Sequence, residues 1–158
     1  MRYCATTLAL AASAFVLFAP SAATPATTAA GTCYQPSDIE ADQAMHFQTE
    51  LMVLSDTCGG GFYRDFTVRN HDQILSYQQQ LLDFFRRTGA KSPRASLDSF
   101  MTRVANEHAL RDGRELRQAV CTRSASMIAE AKTLDRDHFR QRAAQLAAAN
   151  ETAYRRCK

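Results

Sequence analysis

The segment from Ser37 to Cys58 constrains the fold of this chain most strongly, because it predicts a helix that is apolar on almost every side. Its apolar residues recur every three or four positions, which is the spacing of a helix. They are Ile39, Ala44, Met45, Phe47, Leu51, Met52 and Leu54. The apolar run from Leu51 to Leu54 extends this surface around most of the helix. Such a helix is typical of a protein interior, so we predict that the remaining helices pack around it.

The sequence also marks both ends of this helix. Ser37 can accept a hydrogen bond from the amide of Glu40, whose carboxylate can reach back, as in a capping box. Three glycines, Gly59–Gly61, follow Cys58, and glycine adopts the left-handed conformation that ends many helices at no steric cost. We therefore expect the helix to begin at Ser37 and to end at Cys58.

Four further segments have apolar residues at helical spacing, and the connections between them are short. They run from Phe62 or Tyr63 to Thr88, from Ser92 to about Asp112, from about Arg114 to Lys132, and from about Arg136 to Arg156. In the first of these segments, the residues between Thr67 and Asp72 are mainly polar, which predicts a kink. In the third segment, Leu116 lies on the apolar side of the predicted helix. No segment alternates as a strand does. Short connections favour antiparallel neighbours, so the sequence predicts an all-α, up-and-down bundle of four to five helices.

The start of the chain has the pattern of a signal peptide. Arg2 provides a basic lead, and the apolar run over residues 8–18 is too short to anchor the chain across a bilayer. Small residues at 19–23 favour cleavage after Ala23. We therefore predict a signal peptide over 1–23, a flexible lead over 24–36 and a single helical domain over 37–158. No later segment is apolar enough to be transmembrane, so we expect a periplasmic or secreted protein.

Four cysteines remain once Cys4 is removed with the signal peptide, an even number that is typical of a disulfide framework in an oxidising compartment. Three connectivities can join them. We favour Cys58–Cys121 with Cys33–Cys157, and the second bond would tie the two ends of the domain together. The bundle is then disulfide-stapled. No two of these cysteines lie within a few residues of each other, as they do in most zinc sites.

The charge of the chain disfavours a role in binding nucleic acid. The full chain has a formal net charge of +3, and loss of Arg2 leaves about +2, which is a nearly neutral surface. Nucleic-acid-binding domains have a denser basic surface. The arginines between Arg111 and Arg142 are interleaved with acidic residues, so we interpret them as a solvated helix face rather than as a site for anionic envelope components.

One run of residues, with its downstream companions, is distinctive. The run and its companions are Phe47-Gln48-Thr49-Glu50-Leu51-Met52-Val53, Cys58, Tyr63 with Phe66, Leu81 with Phe84-Phe85, Leu97 with Phe100, Ala105-Asn106-Glu107 and Cys121. In this span the chain resembles a group of small exported all-helical proteins of Gram-negative bacteria that have no assigned activity. The resemblance implies a secreted helical domain with Cys58 paired to Cys121, and it carries over no catalytic residue. Cys33 and Cys157 lie outside it.

Glu50 needs an explanation, because it lies among apolar residues of the central helix. An unpaired buried carboxylate is costly, so Glu50 must be paired or protonated. We interpret it as a structural residue held by Arg103, Asn106 or His108. The alternative is a carboxylate with a raised pKa that acts in ligand binding or acid–base chemistry. The buried polar candidates are Glu50, His46, Asn106 and Arg103.

His46 and Glu50 lie one helical turn apart, so a metal-binding or enzymatic site centred on them is the alternative function. Met45, Met52 and Met101 could add soft ligands for copper. Methionines at helical spacing are more typical of a core, and a di-iron bundle needs two Glu-x-x-His motifs that this chain lacks. We therefore predict no metal and no other cofactor.

No part of the sequence has the pattern of a catalytic site. No serine lies in a G-x-S-x-G turn, disulfide formation leaves no thiol nucleophile, and Gly59–Gly61 lacks the Lys and Ser/Thr of a phosphate-binding loop. We predict a non-catalytic domain that binds a protein or a small apolar partner in the cell envelope. The aromatic residues available to line a groove are Phe62, Tyr63, Phe66, Tyr77, Phe84 and Phe85.

Overall fold

The structure, a computed structural model, describes residues 32–158. These residues form seven α-helices and one short 3₁₀ helix. The helices are α1 (Pro36–Cys58), α2 (Phe62–Arg69), α3 (His71–Arg87), α4 (Pro93–Asp112), α5 (Arg117–Arg123), α6 (Ala125–Thr133) and α7 (Arg136–Asn150), and the 3₁₀ helix is Glu151–Ala153. The all-α prediction is confirmed. No helix in residues 32–158 combines the length and the apolar character needed to cross a bilayer.

The central helix is α1, which contacts each of the other six α-helices. Leu51 and Leu54 are completely buried, as the apolar run predicts. Met52 and Val53 are only half-buried, so the run is not enclosed on every side. The prediction that the other helices pack around α1 is confirmed, but one edge of this helix remains near the surface.

The four longest helices form an up-and-down bundle in which α3 and α7 run antiparallel to α1 and α4 runs parallel to it. Pairs of side chains in contact define these directions. They are Asp38–Arg87 and Glu40–Tyr77 for α3, His46–Phe100 and Glu50–Arg111 for α4, and Gln43–Asn150 and Phe47–Phe139 for α7. The aromatic rings between α1 and α7 belong to one continuous apolar core.

The first helix begins one residue earlier than predicted, at Pro36, and its cap is not the predicted Ser37–Glu40 pair. Instead, the carboxylate of Asp38 accepts a hydrogen bond from the backbone N–H of Gln35, with 2.8 Å between the two atoms. Proline favours a start at this position because its fixed φ suits the first helical turn and its missing N–H costs nothing there. The helix ends as predicted, at Gly59 with φ of +77°.

The predicted helix from Phe62 to Thr88 is interrupted at Asn70, inside the polar segment in which the sequence predicts a kink. The Asn70 side-chain amide donates to the carbonyl oxygens of Phe66 and Leu134, each at 3.0 Å. Leu134 is the residue that ends α6. The interruption therefore joins α2 to the C-terminal end of α6.

The predicted helix from Arg114 to Lys132 is also divided, into α5 and α6, which meet at Ser124. Because α5 begins only at Arg117, Leu116 precedes the helix and does not follow its spacing. Leu116 is 82% exposed, so its predicted inward position is wrong. The last predicted helix is shorter than expected as well, since α7 ends at Asn150.

Both favoured disulfides are present, Cys58–Cys121 and Cys33–Cys157. Next to the second bond, the backbone N–H of Tyr34 donates to the carbonyl oxygen of Arg155 at 2.8 Å. The Tyr34 ring stacks on Phe84 with 4.4 Å between ring centroids. Residues 32–36, the described end of the predicted flexible lead, are therefore held against the bundle. The predicted signal peptide and residues 24–31 lie outside the described residues.

Candidate functional site

Four ionisable side chains follow each other along one face of α1 at intervals of four residues. They are Asp38, Asp42, His46 and Glu50. Residues four apart lie one above the other on a helix, so these side chains form a single polar edge along α1. We call it the α1 polar edge. It contains His46 and Glu50, the centre of the alternative function considered from the sequence.

At the start of the α1 polar edge, Asp38 is paired with Arg87. The Asp38 side chain is 2% exposed and the Arg87 side chain 42%. The Arg87 Nη2 atom lies 2.6 Å from each carboxylate oxygen, and the Gln35 amide binds the same carboxylate. The charge of Asp38 is therefore compensated inside the protein, as burial of a carboxylate requires.

One turn further along, Asp42 is held by two neighbours. The hydroxyl of Tyr154 donates to its Oδ2 atom at 2.7 Å, and the Nε2 atom of His46 lies 3.4 Å from that same oxygen. Burial raises the pKa of Asp42, and the hydrogen bond from Tyr154 opposes this rise. The Gln43 side chain in turn donates to the Tyr154 hydroxyl at 2.6 Å. This arrangement fixes the carboxylate rather than exposing it to a substrate.

Glu50 is paired with Arg111, which was not among its predicted partners. The Nη2 atom of Arg111 donates to Oε1 of Glu50 at 2.7 Å, and its Nε atom donates to Asp112 at 2.8 Å. Arg123 binds the buried Asp112 from the other side at 3.1 Å. The Glu50 side chain is 18% exposed. Glu50 is thus part of a network of alternating charges, which is a structural role. Its partner lies further along α4 than we expected.

The other two buried polar candidates, Arg103 and Asn106, are exposed, and their predicted burial is wrong. Phe100, Val104 and His108 are spaced by four and form the buried face of α4, so positions 103 and 106 are turned away from α1. The guanidinium carbon of Arg103 lies 5.6 Å from the centroid of the Phe100 ring. Arg103 therefore covers this ring from the solvent side.

His108 is the polar residue that α4 does place beside the α1 polar edge. Its ring centroid lies 6.0 Å from that of His46. The residue is 8% exposed, and neither ring nitrogen has a hydrogen-bond partner within residues 32–158. Burial lowers the pKa of His108. The sequence indicated His108 only as one of several partners for Glu50.

The side chains of the α1 polar edge contact one another and neighbouring elements, and they do not line the main depressions of residues 32–158. Five surface depressions stand out in residues 32–158, and none of them is lined by His46, Glu50 or His108. In the same part of the chain, no three His, Cys, Asp or Glu side chains are arranged to hold a metal ion. Met45 is buried in the core, and Met52 is half-buried. Arg87, Tyr154 and Arg111 bind the three carboxylates of this edge, and His46 contacts Asp42 on the same helix.

The aromatic residues proposed as lining for a groove are used by the core instead. Four of them are buried and two are half-buried, packed against the core cluster. The buried ones are Phe62, Phe66, Tyr77 and Phe84, and the half-buried ones are Tyr63 and Phe85. Phe85 lines one of the five depressions, between the end of α3 and the start of α4. The other five line none of them, so they give no support to a groove for a small apolar ligand.

A different surface is open, and the sequence did not indicate it. Leu110 is 66% exposed and Leu116 is 82% exposed, at the end of α4 and just before α5. Two depressions lie beside α4, with volumes of about 680 and 330 Å³; the larger runs along the helix from Asp98 to Leu110 and the smaller adjoins its end. Most residues that line the larger one are polar or charged, but apolar atoms form most of the lining of both. Leu110 contributes to the larger one, while Val53 and Ala109 contribute to the smaller. We call Leu110, Leu116 and these two depressions the α4–α5 surface.

Comparison of the chain with protein-family models, with curated proteins and with solved structures gave no match. The function is therefore inferred from the geometry of the described residues.

Proposed function

We propose that this protein is an exported, non-catalytic helical domain that binds a protein partner in the cell envelope through the α4–α5 surface. The observation that carries the proposal is the exposure of Leu110 and Leu116 at one end of the bundle. Two disulfides, which are typical of oxidising compartments, and the signal-peptide pattern before residue 24 support export.

The α4–α5 surface differs from the other exposed apolar positions of the described chain. Single exposed apolar residues are common and need no partner. Val68 is such a case, because it adjoins a depression lined mainly by polar atoms. Leu110 and Leu116, by contrast, lie six positions apart on either side of the connection between α4 and α5, and Leu110 lines the larger of the two depressions. Burying both leucines on a partner would contribute about 2–5 kcal/mol before the costs of association.

A protein partner fits this surface better than a small ligand does. Both depressions are shallow and open to solvent, whereas small-molecule sites usually bury most of their ligand. A partner that covers a broad, shallow area can bury both leucines at once. Leu116 is preceded by Glu115 and followed by Arg117, and both are exposed, so charged groups of both signs are expected around the apolar contact on the partner.

The test is site-specific photo-cross-linking in intact cells, with the cross-linking amino acid at position 110 or 116. We expect one defined adduct from these two positions, and none from matched exposed positions 68 and 75 on α2 and α3. The substitutions Leu110→Asp and Leu116→Asp should reduce the adduct at the other position, while Val68→Asp should not. Export is checked in the same cells by the N-terminal sequence of the mature chain in the periplasmic fraction.

Two outcomes would refute the proposal. Equal cross-linking at 110, 116, 68 and 75 would show that the α4–α5 surface has no special partner. A small apolar molecule that remains bound in native mass spectrometry, and that Leu110→Asp releases, would replace the protein partner by a ligand.

A further inference from the structure

His108 is a titratable group for which the fold provides no hydrogen bond. It lies on the buried face of α4 against α1, and both ring nitrogens lack a partner within residues 32–158. A neutral imidazole tolerates this environment at some cost. An imidazolium has two N–H donors and a charge, and burying it without a partner costs considerably more.

The groups around His108 are already engaged with each other. The Glu50 carboxylate is bound by Arg111 at 2.7 Å, and the Asp42 carboxylate is bound by Tyr154 at 2.7 Å. Each of these carboxylates therefore already accepts a hydrogen bond from another residue. The titratable and charged groups that face this region are Asp42, His46 and Glu50 from α1, Arg103, Glu107, Arg111 and Asp112 from α4, Arg123 from α5, and Tyr154 from the C-terminal segment.

Among the charged groups around His108, Glu50 has the largest effect on its pKa, and it favours a positive charge on the ring. The Arg111 guanidinium lowers the pKa of His108, and so does His46, whose ring centroid lies 6.0 Å away. Glu50 and Glu107 act in the opposite direction. Burial remains the largest cause, and the net effect is a lowered pKa for His108.

We propose that His108 makes the packing of α4 on α1 sensitive to protons, so that the last two turns of α4 separate from α1 as the pH falls below neutrality. When these turns move away, the imidazolium reaches water and the Glu50–Arg111 pair is released from the interface. The rest of the bundle is held by the aromatic core and by the two disulfides, which do not titrate. The separation is thus local. An exported protein would undergo it when the medium around it becomes acidic.

The sign of the effect follows from proton linkage. The pKa of His108 is lower in the folded protein than its ordinary value of about 6.5. The opened state therefore binds more protons than the closed state in the range below about pH 6.5. The free energy that favours closure is therefore greatest above that value, and it decreases progressively as the pH falls toward the lowered pKa.

The first experiment is a histidine NMR titration of the protein, and it needs no substitution. The chain has four histidines, and the His108 signal is compared with the ordinary imidazole pKa of about 6.5. We expect His108 to titrate below that value. A His108 pKa at or above the ordinary value would overturn the proposal.

The second experiment is amide hydrogen exchange, corrected for the intrinsic effect of pH on exchange. The protection factor of the amides of residues 105–112 should fall about tenfold for each pH unit by which the pKa of His108 in the closed state lies below its pKa in the open state. Protection of α3 should stay constant. His108→Leu should abolish the pH dependence in 105–112, and His138→Gln, on the exposed part of α7, should not. Unchanged protection of 105–112 between pH 7.5 and pH 5 would overturn the proposal even if the leucine variant does not fold.

Discussion

Removal of the Cys58–Cys121 bond by the double substitution Cys58→Ser and Cys121→Ser should destabilise the protein by several kcal/mol. This bond joins residues 63 apart in the sequence, and chain entropy then predicts about 4 kcal/mol when it is the only bridge. Cys33–Cys157 joins residues 124 apart, which predicts about 5 kcal/mol on its own. The loss is expected because the unfolded chain gains freedom, whereas the helices keep their contacts.

The two bonds are not independent, because one loop lies inside the other. When Cys58–Cys121 is closed, the outer loop runs only through segments 33–58 and 121–157, which is about half its length. Halving a loop lowers its closure cost by about 0.6 kcal/mol. Removing both bonds should therefore cost about 0.6 kcal/mol more than the sum of removing each one from the intact protein.

Urea unfolding of the four proteins, the parent, the two single-bond variants and the variant without both bonds, measures these differences. The slope of the free energy against urea should rise as bridges are removed, because the unfolded chain becomes more expanded. A loss below about 1 kcal/mol for Cys58–Cys121 would refute this chain-entropy account. So would a double removal that costs clearly less than the sum of the two single removals.

Three further predictions concern single positions and use the same urea assay. Phe139→Ala should cost about 3–5 kcal/mol, because this ring is fully buried against other aromatic rings, whereas Leu75→Ala at a 49% exposed position should change little. Gly89→Ala should cost about 1–2 kcal/mol, since φ at this position is +81° although no atom obstructs a Cβ; a gain in stability would contradict this. Glu50→Gln should cost about 1 kcal/mol, because the pair with Arg111 is partly exposed. Partner cross-linking at position 110 should persist in this variant. A stable Glu50→Gln protein that loses the cross-link would assign Glu50 to binding.

The parts of the fold that local sequence determines could be predicted, and the parts that distant contacts determine could not. The kink in the segment from Phe62 to Thr88 is visible as a polar stretch, but its position at Asn70 depends on Leu134, which is 64 residues further along the chain. Arg69 also binds the carbonyl oxygens at the end of α6. The division at Ser124 has no comparable local signal, because apolar residues continue at helical spacing on both sides of it.

The candidate site shows the same limit. Glu50 was predicted to need a partner because carboxylates amid apolar residues must be compensated, and it has one. The identity of Arg111 could not be predicted, because it depends on how far α4 is shifted along α1. Arg103 lies just over two turns away on the same helix and is exposed. The α4–α5 surface was missed for a simpler reason, since helical spacing assigned Leu116 to a helix that begins after it.

The four-residue spacing of the α1 polar edge is best explained by register rather than by chemistry. Each of its carboxylates meets a donor from a different element: Arg87 from α3, Tyr154 from the C-terminal segment and Arg111 from α4. Apolar contacts alone would allow these elements to slide along α1 at little cost, since many apolar arrangements pack equally well. A buried carboxylate that loses its donor is costly, so each pair penalises a shifted arrangement of one neighbour. His108 lies against this edge, and neither of its ring nitrogens has such a partner within residues 32–158. The contact between α4 and α1 is therefore the place where protonation of a side chain, rather than a change of sequence, can disrupt the alignment of the two helices.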